Sequence, residues 1–198
     1  MISTTTGSST EVSTPSAERR RLKKLIQRLA VVHGEVTLSS GESADYYIDL
    51  RRITLHHEAS RLVGRVMMRM LDDAGIDYVA CGGLTMGADP VAAAIMHAAQ
   101  EEGRAIDAFV VRKEAKSHGM GRQVEGPSVD GRKVVVLEDT STTGGSALTA
   151  VEGVRGAGGE VQAVAVLVDR NTGAREHIED TAQVPYLYAY SKIDLGVD

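Results

Sequence analysis

Four stretches made almost wholly of apolar residues recur along the chain: YVACGG (78–83), IDAFVVR (106–112), KVVVLED (133–139) and VQAVAVLVD (161–169). A strand without a polar face must be covered on both sides. Helix-length crossovers between such strands supply that cover in a parallel sheet. The spacing predicts helices over about 88–102, 146–156 and 172–181, and a last strand with Tyr186, Tyr188 and Tyr190 at alternate positions packing one side. Composition agrees: aromatic residues are only 4% and Trp is absent, so Val, Leu, Ala, Ile and Met must fill the core. The fold class read from this pattern is α/β, a central, mostly parallel sheet flanked by helices.

The N-terminal third reads differently. Ten of the first sixteen residues are Ser or Thr, a stretch with nothing to bury, so 1–16 is read as a solvated tail and 17–198 as one domain. Leu22, Leu25, Ile26 and Leu29 then fall at helical spacing, predicting a helix from Ala17 that stops at Gly34, with Arg19 to Lys24 as a solvated face. GEVTLSSGESADYYIDLRR reads as a short strand, a Ser/Gly turn and a second strand from about Tyr46 to Leu50. HHEASRLVGRVMMRMLDDAG follows as an amphipathic helix whose methionines pack inward and whose Asp72 and Asp73 face water.

Several function classes fall away. A net charge of −5 gives no basic face for displacing counterions from nucleic-acid phosphates. No apolar run approaches the roughly 20 residues that span a bilayer. The N-terminus has neither a basic start nor an apolar segment, and the single Cys81 cannot form an internal disulfide, so a reducing, cytoplasmic setting is expected. Cys81 itself, inside an apolar strand, reads as an inert buried thiol. His56, His57 and Glu58 lack a third partner at metal-ligand spacing.

Ligands of parallel sheets bind at the carboxyl ends of the strands. The strand at 133–139 ends there in Glu138 and Asp139, followed by a Thr/Ser/Gly loop, Thr140 to Gly145, and a helix from Ser146 or Ala147. The loop amides, hydroxyls and helix dipole make an anion cradle, and paired acids can accept hydrogen bonds from two ribose hydroxyls. The expected ligand is a ribose 5-phosphate. The chain lacks the Gly-x-x-x-x-Gly-Lys-Ser/Thr of nucleotide hydrolases and the Gly-x-Gly-x-x-Gly of dinucleotide folds; Gly153 to Gly159 caps a helix. A second loop, VVRKEAKSHGMGRQVEG (110–126), packs Arg112, Lys113, Lys116, His118 and Arg122 among glycines, which suits neutralising pyrophosphate on a mobile flap.

The stretch VVVLEDTSTTGGSALTAV resembles the phosphoribosyl-pyrophosphate (PRPP) motif of the type I phosphoribosyltransferases. RKEAKSHG, GEVTLSSGESADYYIDLR and GGLTMGADPVA further resemble its orotate-using branch, from about Gly34 to Arg170. The resemblance implies a sheet with a small hood (about 34–55 plus the C-terminal strand) and a pentosyl transfer from PRPP to orotate in pyrimidine biosynthesis. It assigns PRPP contacts to Thr85, Met86, Arg112, Lys113, Lys116 and His118 and to Glu138, Asp139, Thr140, Ser141, Thr142, Thr143, Gly144, Gly145 and Ser146. Tyr46, Tyr47, Thr142 and Arg170 would bind orotate, and Lys116, His118 and Asp139 would serve catalysis. Mg2+ would arrive with PRPP, without direct protein ligands, near Glu138 and Asp139 through water. Lys113 would reach the neighbouring active site of a homodimer. Two lysines common in the branch are here Ser39 and Met86, so charge neutralisation is expected to fall on the flap cations. Transfer to another base, and a PRPP-sensing regulator without catalysis, are the competing readings; the regulator would need a basic DNA-binding extension that the short N-terminal helix does not provide.

Overall fold

A computed structural model describes residues 15–37, 43–114 and 123–197. The chain runs through helix α1 (Pro15–Leu29), strands β1 (Val31–Thr37) and β2 (Ser43–Ile48), and helices α2 (Arg51–Thr54) and α3 (Ala59–Asp73). Alternation follows: β3 (Ala80–Leu84), α4 (Ala88–Glu101), β4 (Asp107–Val111), β5 (Val124–Glu125), β6 (Lys133–Ser141), α5 (Gly145–Gly156), β7 (Glu160–Asp169), α6 (Ala174–Ala182), β8 (Tyr186–Ser191) and α7 (Lys192–Leu195).

The main sheet has the order β5-β4-β3-β6-β7-β8, parallel except for β5. Both faces are covered, which is why the strands are apolar throughout. On β6, Val135 and Leu137 join the layer built by α1, α3 and α4, while Val134 and Val136 join the layer built by α5 and α6. From β3 the chain moves outward through α4 to β4, then returns past β3 to β6. The switch in winding direction therefore falls between β3 and β6, where an open α/β sheet leaves a crevice at its carboxyl ends.

Four sequence expectations are corrected. The first helix ends at Leu29, not Gly34: Val31 and Val32 are β-branched and pair with Ile48 and Tyr47 in a two-stranded antiparallel sheet. Gly34, at φ +140°, lies where that sheet's register shifts. The α1 basic run is not simply solvated, since Arg19 lies over the Tyr190 ring at 4.9 Å and Arg21 pairs with Glu58 at 2.7 Å. Tyr190 does not share a side with Tyr186 and Tyr188; it packs in the α1 layer and its hydroxyl donates to Arg19 O, while the other two rings meet at 6.2 Å in the α5/α6 layer. Asp72 accepts from Arg104 at 2.7 Å instead of facing water alone. The short β5 had no periodicity to reveal it inside a polar loop. Cys81 is fully buried, and burial pushes its thiol up to about 12.

The two-stranded sheet is tied to the body through α1. Glu18, 1% exposed, accepts from Arg65 at 2.8 Å and from Arg69, and Arg65 also reaches Glu101 at 2.8 Å. One buried carboxylate thus joins α1 to α3, and through Arg65 to α4. Asp49 N donates to Ala30 O at 3.0 Å, closing the far end of β2 onto the end of α1.

Candidate active site

The β3 and β6 ends form the two walls of the crevice. Asp139 lies against the turn after β3, where the Thr85–Met86 peptide is cis; a Cβ at Gly87 would stand 2.7 Å from Asp139 Oδ1, so a side chain there would displace the carboxylate. Thr85 Oγ1 donates to Asp89 Oδ2 at 2.7 Å, and Met86 is 67% exposed. The turn that carries Thr85 and Met86 therefore lies beside the acids at the end of β6, although the two segments are more than fifty positions apart.

Electrostatics mark Glu138 and Asp139 as unusual. Burial raises Glu138 from the ordinary 4.5 to about 7, the neighbouring Asp139 charge adds to it, and a hydrogen bond from Ser146 opposes it. Asp139 is also raised by burial, against a hydrogen bond from Thr140 N at 2.7 Å and the more distant Arg51 charge. Burial and their shared charge disfavour ionising both carboxyls together, and donors or a cation from outside would favour their charged forms. Arg51 and its partner Asp49, 2.9 Å away, bring further charge to the neighbourhood. Sequence reasoning passed over both; their place just after the Tyr46-Tyr47 strand was the available signal.

Beyond the acids, the loop turns through Gly144 at φ +82°, and α5 starts at Gly145 with its amides toward the loop. Among the described residues, Thr140 Oγ1 is buried without a hydrogen-bond partner, and the buried Ser141 Oγ lies beside the Tyr186 hydroxyl. Arg170 follows β7; its amide donates to Ser141 O at 3.1 Å, and its buried Nε has no hydrogen-bond partner among the described residues. This places Arg170 beside Thr142. A buried guanidinium nitrogen and a buried hydroxyl without partners are costly unless a polar ligand meets them. Tyr47, 36% exposed, and the half-buried Tyr46 lie on β2, which pairs with β1.

Arg112, Lys113 and Gln123 of the expected flap are among the described residues. Arg112 and Gln123 tie its ends together by reciprocal bonds, Arg112 N to Gln123 O at 2.9 Å and Gln123 Nε2 to Arg112 O at 3.1 Å. Arg112 Nη1 stands 3.9 Å from Glu125 Oε1, and the Lys113 side chain is exposed. Lys116, His118 and Arg122 lie outside the described residues, as do Ser39 and residues 1–14 of the expected tail. His56 and His57 stack at 4.4 Å, and His56 Nδ1 accepts from the amides of Glu58 and Ala59, a local structural role. Among the described residues, no three His, Cys, Asp or Glu side chains converge on a metal position, and no helix is long and apolar enough to cross a membrane.

At the switch point of the sheet, an acid pair stands beside a loop of small polar residues that leads into a helix. Residues 50–188 match the phosphoribosyl transferase domain, and the chain belongs to that family. Within it the chain belongs with the orotate phosphoribosyltransferases. It is 64% identical to that of Streptomyces coelicolor over 180 residues, covering 91% of this chain and 98% of the relative. The Mycobacterium tuberculosis H37Rv enzyme, solved in complex with Fe(III) dicitrate, superposes with a TM-score of 0.82 at 59% identity, covering 91% of this chain and 99% of that one. The same enzyme solved with PRPP gives a TM-score of 0.79 at 53% identity, again over 91% and 99%.

Proposed function

We propose that this chain transfers the 5-phosphoribosyl group of PRPP to orotate, releasing orotidine 5'-monophosphate and pyrophosphate, in pyrimidine biosynthesis. The observation that carries the reading is Asp139 against the Gly87 turn and Glu138 against Ser146, with the Thr140–Ser146 loop beside them, in a chain 64% identical to an orotate phosphoribosyltransferase. The loop amides and the start of α5 hold the 5-phosphate. Glu138 and Asp139 accept from the ribose hydroxyls. Arg170, with its unpartnered Nε, meets the orotate carboxylate as a charged donor fork, and Thr142 and the Tyr46-Tyr47 strand complete the base site.

As the bond from the anomeric carbon to pyrophosphate breaks, positive charge develops on the ribose. Asp139 stands where that charge is stabilised, and Lys116 and His118 of the flap take up the negative charge that departs. Closure of the flap over the site excludes water that would capture the ribosyl cation. The acid pair also fits Mg2+ carried by PRPP: oxygen donors with uncompensated charge would hold it through water, and when bound it supplies neutralisation of the pyrophosphate.

The same reading places two copies together, with Lys113 of each reaching the other's crevice. Two exposed residues support a second copy as the partner: Lys113, and separately the 70% exposed Leu55, which lines a groove of about 440 Å³ beside α4. A cytoplasmic location accords with the lone, buried Cys81. Turnover of orotate with PRPP and Mg2+ tests the function. The wild-type chain should form orotidine 5'-monophosphate and pyrophosphate in equal amounts, and Asp139→Asn should be slower by roughly tenfold or more with its melting temperature retained. Absence of product from the wild type would overturn the reading. For the shared site, Lys113→Ala and Asp139→Asn chains mixed under subunit exchange should recover activity that neither shows alone, and no recovery would refute it.

A further inference from the structure

The phosphate loop is held from behind by the segment after β7. Three successive loop carbonyls point toward that segment. Ser141 O accepts from the Arg170 amide at 3.1 Å, Thr142 O accepts from the Thr172 hydroxyl, and Thr143 O lies 2.7 Å from His177 Nδ1 on α6. A carbonyl only accepts, so Nδ1 of His177 carries the proton.

A planar trans peptide points its C=O and its N–H in opposite directions. Fixing the carbonyls of 141, 142 and 143 on the α6 side therefore turns the amides of Thr142, Thr143 and Gly144 to the opposite side. Consecutive amides presented together form a concavity that suits an anion. Packing supports the same arrangement: a Cβ at Gly144 would come within 2.8 Å of Ile178 Cγ1, so the loop rests directly on α6. The segment doing the holding is itself shaped locally, with Asn171 at φ +54° and its amide donating to Asp169 Oδ1 at 3.0 Å.

We propose that Thr172 and His177 are positioning residues that preorganise the 142–144 amides for the 5-phosphate. The inference rests on the reading that this loop holds the ribose 5-phosphate. Neither side chain would touch the substrate. Both are exposed, so their cost of removal falls on the loop's order and not on the core. A loop whose amides must be arranged at the moment of binding surrenders affinity to that ordering.

Calorimetric titration with ribose 5-phosphate, which needs no base, reads the effect directly. His177→Ala and Thr172→Val should each weaken binding by roughly fivefold to tenfold, the scale of one hydrogen bond. His177→Asn and Thr172→Ser, which keep a donor in place, should stay within about twofold of wild type on the same scale. In turnover assays the first two variants should raise KM for PRPP with kcat little changed. Unchanged affinity in His177→Ala and Thr172→Val would overturn the inference, as would equal losses in the donor-retaining pair. A wild-type chain that binds ribose 5-phosphate with this split among variants, yet does not consume orotate, would remove the base assignment and leave the positioning role standing. Failure of the wild type to bind ribose 5-phosphate would remove the phosphate-loop reading and this inference with it.

Discussion

Glu138 is the residue whose environment departs furthest from that of a free carboxyl in the crevice, and its ionisation has a consequence for stability. Its folded value of about 7 lies above the ordinary 4.5, so between those limits the folded chain holds a proton that the unfolded chain has released. Stability should therefore fall as pH rises through that window. Above about 7 both states are ionised and the penalty is constant. Glu138→Gln removes this contribution, so its urea midpoint should decline less than that of wild type between pH 5 and 7. Parallel declines would show that Glu138 is not held protonated. The acids, the loop hydroxyls and Arg170 were legible in the sequence because their chemistry is carried by residue type and strand-end position. His177, Thr172 and Arg51 were not legible, because a lone polar side chain on a predicted helix or loop says nothing about which carbonyl or carboxylate it will meet.

At the scale of elements, the alternation of apolar strands with helices was readable because burial on both sheet faces erases the period-two pattern. Boundaries failed where local signals competed. Leucine spacing carried the first helix onward, but Val31 and Val32 gain more by pairing with β2 than by prolonging a helical turn. The fastening of α1 was hidden for another reason: the carboxylate of Glu18 looks like a surface acid in a basic run until α3 supplies Arg65 and Arg69. That network is expected to hold α1, and with it the two-stranded sheet, against the body. Glu18→Gln keeps the shape but weakens two charge-assisted bonds, at a cost of about 2 kcal/mol. For a chain of this length the melting temperature should drop by roughly 4–8 °C. A drop of less than about one degree would mean that the ion pairs hold α1 no better than neutral contacts do.

At the scale of the whole molecule, the crevice between β3 and β6 arises from the winding order of the sheet, and each wall is completed by a segment distant in sequence. The Gly87 turn meets Asp139, Arg170 meets the Ser141 carbonyl, and Arg51 at the foot of the two-stranded sheet adds charge near the acids. Global charge plays a different part from local charge. A net −5 gives no general attraction for polyanions, so in the proposed function recognition of a phosphate-rich substrate falls to the loop amides and the flap cations. The account's central claim, that this crevice joins PRPP to orotate, is tested most directly by following orotate absorbance with PRPP and Mg2+, beside parallel reactions offering uracil, hypoxanthine or adenine. Rapid PRPP-dependent loss of orotate is expected, with no comparable reaction of the other bases; turnover of another base with none of orotate would refute the assignment.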